Sequence, residues 1–394
     1  MRVLIADKFP DQYIKKLKDS GIDVVYNPKL GENDLPEAAK DVDCLVVRST
    51  NVNATTIDNS NNLSLIVRAG SGVNNINIPA ANKKGIYVSN CPGKNSIAVA
   101  ELAIGLMITL DRRIPQNVID FRQGKWNKGE YSKAEGLFGK TLAIVGYGNI
   151  GREVAKRAQA MGMNIYAKDI AVIEGYGVKD FSEFDQILPI ADVVTLHLPQ
   201  TPQTKKLFND KMFSYMKNGA IFINTSRSGV VDEEALIKAV NEKNLKVGLD
   251  VFDGEPESKS GPVSSKLQSL ENVYVTHHIG ASTEQAQNAV AEETVNIILQ
   301  FIKSGVIAHW VNKAKVTDSH FQLIVKHYDK PGVLHSVLDA LRQGNINLEE
   351  VENMIFDGGL IACCTMKLST PATAEMLESI RKNPDVLSYS HVAL

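Results

Sequence analysis

The sequence predicts two doubly wound, Rossmann-like α/β domains built on parallel sheets, followed by a smaller ferredoxin-like α/β sandwich. Three observations predict it. Short apolar runs alternate with helical patterns in two successive series; a glycine turn, GYGNIG, follows the first run of the second series; and from about Asp318 the order becomes strand, helix, strand, strand, helix, strand. Strands buried on both faces and joined by crossover helices read in this way, as continuous apolar runs rather than alternating ones. At 394 residues the chain also exceeds what one core of ordinary size accommodates.

In chain order, the first series is RVLIAD, CLVVRS, LIVRAG and GIYVSN. Residues 95–110, NSIAVAELAIGLMITL, are too long for a strand and predict a buried helix, with a subunit contact as one reason for its apolar character. The second series is TLAIVGYG, NIYAKD, DVVTLHL, AIFINT, KVGLDVF and NVYVTHH, a six-stranded signature. A capping pattern at Ser282 and Gln285 then opens one long helix that ends at Gly305 and returns the chain to the first domain. The expected division is therefore 1–97 with 285–312, then 98–284, then 318–394, with the polar stretch VNKAKVTDSH as a hinge.

Composition narrows the function. The 43 Lys and Arg against 45 Asp and Glu leave no basic excess for a phosphate backbone, so nucleic acid is excluded as a main partner. Cys44, Cys91, Cys363 and Cys364 show no metal-binding spacing and read as reduced packing thiols, and no metal is expected. No apolar run approaches the roughly 20 residues of a membrane span. The first residues run directly into a strand without a secretory pattern, so a cytoplasmic protein without membrane partners is expected.

Gly146, Gly148 and Gly151 form the GxGxxG turn between a strand and a helix, where backbone can approach a pyrophosphate at a helix N-terminus. Asp169 ends the next strand and is placed to bond the adenosine ribose hydroxyls, which favours NAD and repels the extra phosphate of NADP. Three segments at strand ends carry chemistry: Arg227 in NTSRSGVVDE, Glu255 in GLDVFDGEP and His278 in THHIGAST. Oxidising an alcohol beside a carboxylate needs a base and a cation besides the hydride acceptor. Histidine titrates near neutrality and serves as acid or base, glutamate orients it, and the arginine fork suits a carboxylate. Each has a plainer reading: Arg227 pairing with Asp232 or Glu233, Glu255 in an exposed turn, His278 satisfied at a strand end. Chemistry alone leaves the choice between His277 and His278 open.

GYGNIGREVAKRAQAMGM, INTSRSGVVDEEAL, LDVFDGEP and HIGAST resemble motifs of the D-isomer-specific 2-hydroxyacid dehydrogenases, a resemblance covering about residues 1–310. It implies Arg227, Glu255 and His278 as catalytic groups, which selects His278. It implies NAD contacts from Ser71, Gly146, Gly148, Asn149, Ile150, Gly151, Asp169, Leu198, Thr225, Ser226, Arg227, Asp250, His278, Gly280 and Ala281, and substrate contacts from Arg48, Arg68, Ser71, Gly72, Val73, Arg227 and His278. Two arginines at first-domain strand ends suit a substrate with both carboxylate and phosphate. The resemblance accordingly implies oxidation of 3-phosphoglycerate to phosphohydroxypyruvate, the opening step of serine formation. The alternatives are a hydroxypyruvate or glyoxylate reductase or another D-2-hydroxyacid dehydrogenase, and an NADH-sensing corepressor-like protein.

HYDKPGVLHSVLDALRQGNINLEEV resembles an ACT regulatory domain, which implies an amino-acid ligand such as L-serine at His327, Asp329, Asn345 and Asn347. A homodimer or homotetramer is expected. Two departures from the family stand out: His277 occupies a position where proline is common, and the large intervening domain of the longest members is absent.

Overall fold

The computed structural model describes residues 1–171, 173, 177–181, 183–256 and 261–394. They form two compact units, Met1–Asn312 and Lys313–Leu394.

The first unit holds two parallel sheets. Strands β1 (Arg2–Ile5), β2 (Asp23–Tyr26), β3 (Cys44–Val47), β4 (Leu65–Arg68) and β5 (Tyr87–Asn90) form a five-stranded sheet in the order β2-β1-β3-β4-β5. β2 has no counterpart among the apolar runs, because it lies at the edge and none of its four residues is fully buried. The second sheet has seven strands where the apolar runs predict six: β6 (Thr141–Val145), β7 (Asn164–Lys168), β8 (Val178–Asp180), β9 (Val193–Leu196), β10 (Ile221–Asn224), β11 (Lys246–Leu249) and β12 (Val273–Val275). The additional strand, β8, is the sequence VKD. Among the described residues it pairs only with β7, and it exposes two of its three residues, so it carries no apolar signal.

The order of this sheet, β12-β11-β10-β9-β6-β7-β8, reverses between β6 and β9. Connections leave the two strands in opposite directions there and open a crevice at their carboxyl ends, where ligands bind in such sheets. The helix Ser96–Arg112 is apolar on most of its surface, and Ala100, Ala103 and Met107 are fully buried. It packs on β10, β11 and the helix Asn149–Ala160.

The long helix Glu284–Ser304 places Val290, Ala291, Val295 and Ile298 against Val3, Ile5, Val46 and Val67 of the first sheet. Its N-cap is Thr283 rather than Ser282: the Thr283 hydroxyl accepts the Ala286 N–H at 3.1 Å. Adjacent hydroxyl residues make the capping register ambiguous in sequence. Gly305, in the left-handed region, ends the helix.

The second unit is a four-stranded antiparallel sheet of β13 (Phe321–Tyr328), β14 (Leu348–Ile355), β15 (Ile361–Leu368) and β16 (Val386–Ala393), ordered β14-β15-β13-β16. Helices Val333–Gln343 and Ala374–Lys382 complete the ferredoxin-like order. β15 alternates half-buried and buried residues, and Leu323, Val325, Val337, Leu341, Met366 and Ile380 form the core. Among the described residues no helix is long and apolar enough to cross a membrane.

Candidate active site

At the reversal point, Gly146 follows β6 with φ +96° and its N–H donates to the Lys168 carbonyl at 2.8 Å. A Cβ at Gly146 would stand 2.4 Å from the His197 carbonyl oxygen, and one at Gly151 would stand 2.2 Å from that of Gly146. Both are closed to any side chain, so turn, strand and helix pack backbone to backbone. Gly148 differs: a Cβ there would meet nothing within 4 Å, and it caps the helix Asn149–Ala160 without a side chain. The first amides of that helix are thus open to an anion.

Asp169 stands just past β7, half-buried. It accepts the Tyr147 N–H at 2.5 Å and the Ile170 N–H at 2.7 Å, which fixes the carboxylate beside the glycine turn. The Thr225 hydroxyl, past the end of β10, is buried with no hydrogen-bond partner among the described residues. Open space at Gly148, an uncapped helix end, a fixed acid and an unsatisfied hydroxyl together fit a dinucleotide. Asn149 approaches Gly93, Leu198 packs under Gly146, and Ile150 sits half-buried in the first helical turn.

The His278–Glu255 pair stands on the segments that follow β12 and β11. Asp250, buried past β11, accepts the Thr276 hydroxyl at 2.6 Å and the N–H groups of Ile279 and Gly280, each at 2.8 Å. These bonds grip the chain on both sides of His278, whose backbone is left-handed at φ +51°. Nδ1 of His278 lies 2.8 Å from Oε2 of Glu255, and Oε1 of Glu255 accepts the Phe252 N–H at 3.0 Å. The hydrogen bond to Glu255 holds the imidazole above its ordinary proton affinity, against the opposing pull of burial. His277 is exposed and takes no part in this bond.

Arg227, half-buried past β10, donates to the Ser226 carbonyl at 2.6 Å. Its loop is tied by Asn224, whose Oδ1 accepts the Ser226 N–H and hydroxyl and whose amide donates to the Arg227 carbonyl. The guanidinium lies over Gly72, where a Cβ would stand 2.5 Å from Nη2. Arg68 ends β4 with its Nε buried and unpartnered among the described residues. Burial, then the charges of Arg227 and Arg48, lower its pKa to about 10, so it stays charged at neutral pH.

A cavity of about 480 Å³ is lined by Lys8, Arg48, Arg68, Asn95, His278 and Gln287, among others. The Ser71 hydroxyl donates to Asn95 at 2.7 Å, Val73 is half-buried, and Ala281 lines the same cavity. Lys8, Asn95 and Gln287 are additions to the residues expected from sequence. Asp7 is a further one, and its position at the end of the run RVLIAD was a usable signal, since ligands gather at the carboxyl ends of parallel strands.

In the second unit, His327 is buried in β13, its Nδ1 donating to the Tyr328 carbonyl and its Nε2 lying 3.3 Å from the Asn353 side chain. Asp329 and Asn347 are exposed, and Asn345 has φ +53°.

The D-isomer specific 2-hydroxyacid dehydrogenase NAD binding domain matches residues 104–280. A D-3-phosphoglycerate dehydrogenase of Methanocaldococcus jannaschii is 36% identical over 366 residues, which is 91% of this chain and 68% of that protein. A hydroxypyruvate reductase of Thermotoga maritima is 41% identical over 301 residues, 76% of this chain and 97% of that one. The chain belongs to the D-isomer-specific 2-hydroxyacid dehydrogenases. It spans between 50% and 62% of other, longer relatives. An NAD-bound 3-phosphoglycerate dehydrogenase of Entamoeba histolytica, 29% identical, superposes with a TM-score of 0.68 over 79% of this chain and 99% of that one. As a member of this dehydrogenase family the chain uses NAD, and the glycine turn lies in its NAD-binding domain.

Proposed function

We propose that this dehydrogenase oxidises 3-phospho-D-glycerate to 3-phosphohydroxypyruvate, the entry reaction to L-serine. The observation that carries this reading is that Arg48, Arg68 and His278 line one cavity, so an acid–base group shares it with cations beyond the one a carboxylate needs. The relatives named D-3-phosphoglycerate dehydrogenase support it.

Bound NAD supplies the hydride acceptor, held by Asp169, the glycine turn and the groups at Thr225, Ser226, Asp250 and Gly280. His278 takes the C2 hydroxyl proton at Nε2, because Nδ1 is engaged by Glu255, and the carboxylate stabilises the imidazolium that results. Arg227 holds the substrate carboxylate and polarises the C2 oxygen, with Ser71, Gly72 and Val73 beside it. Arg48 and Arg68 hold the phosphate.

The first sheet with the helix Glu284–Ser304 would be the substrate-binding domain and the second sheet the NAD-binding domain. The second unit would be an ACT domain binding L-serine through His327, Asp329, Asn345 and Asn347; its strand order supports this reading. Exposed Phe121 and Trp126, after the apolar helix Ser96–Arg112, support a homodimer or homotetramer.

The test is NADH oxidation with phosphohydroxypyruvate beside hydroxypyruvate, glyoxylate and 2-oxoglutarate, each with and without L-serine. The expected result is a clear preference for the phosphorylated acid and inhibition by serine. Preference for hydroxypyruvate would favour the second reading, which the Thermotoga relative supports. Absence of turnover on every acid would favour the corepressor-like one.

A further inference from the structure

We infer that Asp7 is a positioning residue that sets Arg48 and thereby the preference for a substrate that carries a phosphate as well as a carboxylate. The inference rests on the reading that Arg48 meets the substrate phosphate.

β1 ends at Ile5, and the Ala6 N–H still donates to the Val46 carbonyl of β3, so Asp7 emerges beside the segment that leaves β3. That segment is Arg48–Thr50. Oδ2 of Asp7 accepts three consecutive backbone amides, Arg48 at 2.7 Å and Ser49 and Thr50 at 3.0 Å each. Oδ1 accepts the Ser49 hydroxyl at 2.9 Å. Successive amides aimed at one point form a concavity for an anion, and here the chain fills it with its own carboxylate. Burial opposes the charge, but the three amides and the hydroxyl outweigh it and hold the carboxyl below the usual range.

Two features separate this arrangement from an ordinary loop cap. Asp7 is the one acidic residue among the described residues lining the cavity, and it stands with Arg48 and Arg68. Its negative charge also supports protonation of Arg68, against Arg227 and Arg48. With its oxygens taken by protein donors, and with a charge that repels an anionic substrate, Asp7 is not a substrate ligand. It acts by fixing the backbone from which the Arg48 guanidinium projects.

Steady-state kinetics on the full chain tests this. In Asp7→Asn, KM for phosphohydroxypyruvate should rise at least about ten-fold, with kcat within about three-fold and KM for NADH within about two-fold. KM for hydroxypyruvate, which lacks the phosphate, should change by less than about two-fold. In an Arg48→Gln background, adding Asp7→Asn should raise KM by less than about two-fold, since the residue through which it acts is already lost. Multiplying effects in that background, equal losses for both acids, or an unchanged KM would each overturn the inference. If Asp7→Asn does not fold, Ser49→Ala removes one bond to the carboxylate and should raise KM for the phosphorylated acid by about two- to five-fold; no change overturns the inference there too. A wild-type enzyme without preference for the phosphorylated acid would instead overturn the proposed substrate. The Arg48 cycle, run on whichever acid it prefers, would still decide the role of Asp7.

Discussion

The Glu255 carboxylate spans two partners, Nδ1 of His278 at 2.8 Å and the Phe252 N–H at 3.0 Å, so the imidazole is oriented by a group that is itself anchored. The carboxylate raises the proton affinity of the ring. In Glu255→Gln that support is lost and the His278 pKa falls. Reduction of the oxo acid needs the protonated ring, so its basic limb in kcat/KM should move to lower pH. Oxidation needs the neutral ring, so its acidic limb should move to lower pH as well. A pH–rate profile in both directions checks the sign, and a shift to higher pH would refute the assigned pair.

His278→Ala should lower kcat by roughly 10²–10⁴, the usual worth of a positioned acid–base group. NADH binding, followed by protein fluorescence, should hardly change, because the glycine turn and Asp169 lie elsewhere. Retained turnover would remove His278 from the chemistry.

Gly72 matters for what it lacks. A methyl group there would stand 2.5 Å from Nη2 of Arg227, and the guanidinium would have to swing away. Gly72→Ala should reduce kcat/KM for the oxo acid by about 10- to 100-fold, in line with the cost of a displaced orienting group. Thermal stability should be nearly unaltered, since the flexible end of a side chain gives way.

Gly151→Ala is the opposite case. Its Cβ would stand 2.2 Å from the backbone oxygen of Gly146, and neither side is free to yield. A stability loss of about 1–3 kcal/mol is expected from such overpacking. NADH affinity should fall with it, because the whole turn shifts. Denaturant unfolding and NADH titration on the same preparation check both.

Much of this architecture was legible in the chain. β3, β4, β9 and β10 are buried on both faces and read as unbroken apolar runs. β2 and β8 were not, because edge strands need no apolar run to hold their single neighbour. The turn at Gly146 and the acid Asp169 stand close in sequence and carry a readable spacing. Arg227, Glu255 and His278 share strand ends that chemistry could suggest but only motif resemblance could single out. Asp7, Asn95 and Gln287 come from three distant segments brought together by the fold. Asp7, at the end of an apolar run, has a local signal; Asn95 and Gln287 have none.

The gathering of Arg48, Arg68 and Arg227 also has a thermodynamic consequence. The charges of Arg227 and Arg48 lower the proton affinity of buried Arg68, so the folded protein stores repulsion there, and any small anion seated among the three releases part of it. Folding and anion binding are therefore linked, and the melting temperature should climb with phosphate or sulfate concentration. Chloride at equal ionic strength, which screens without chelating, should do less. The buffer becomes a silent ligand of this enzyme, and its apparent stability a readout of what occupies the cleft.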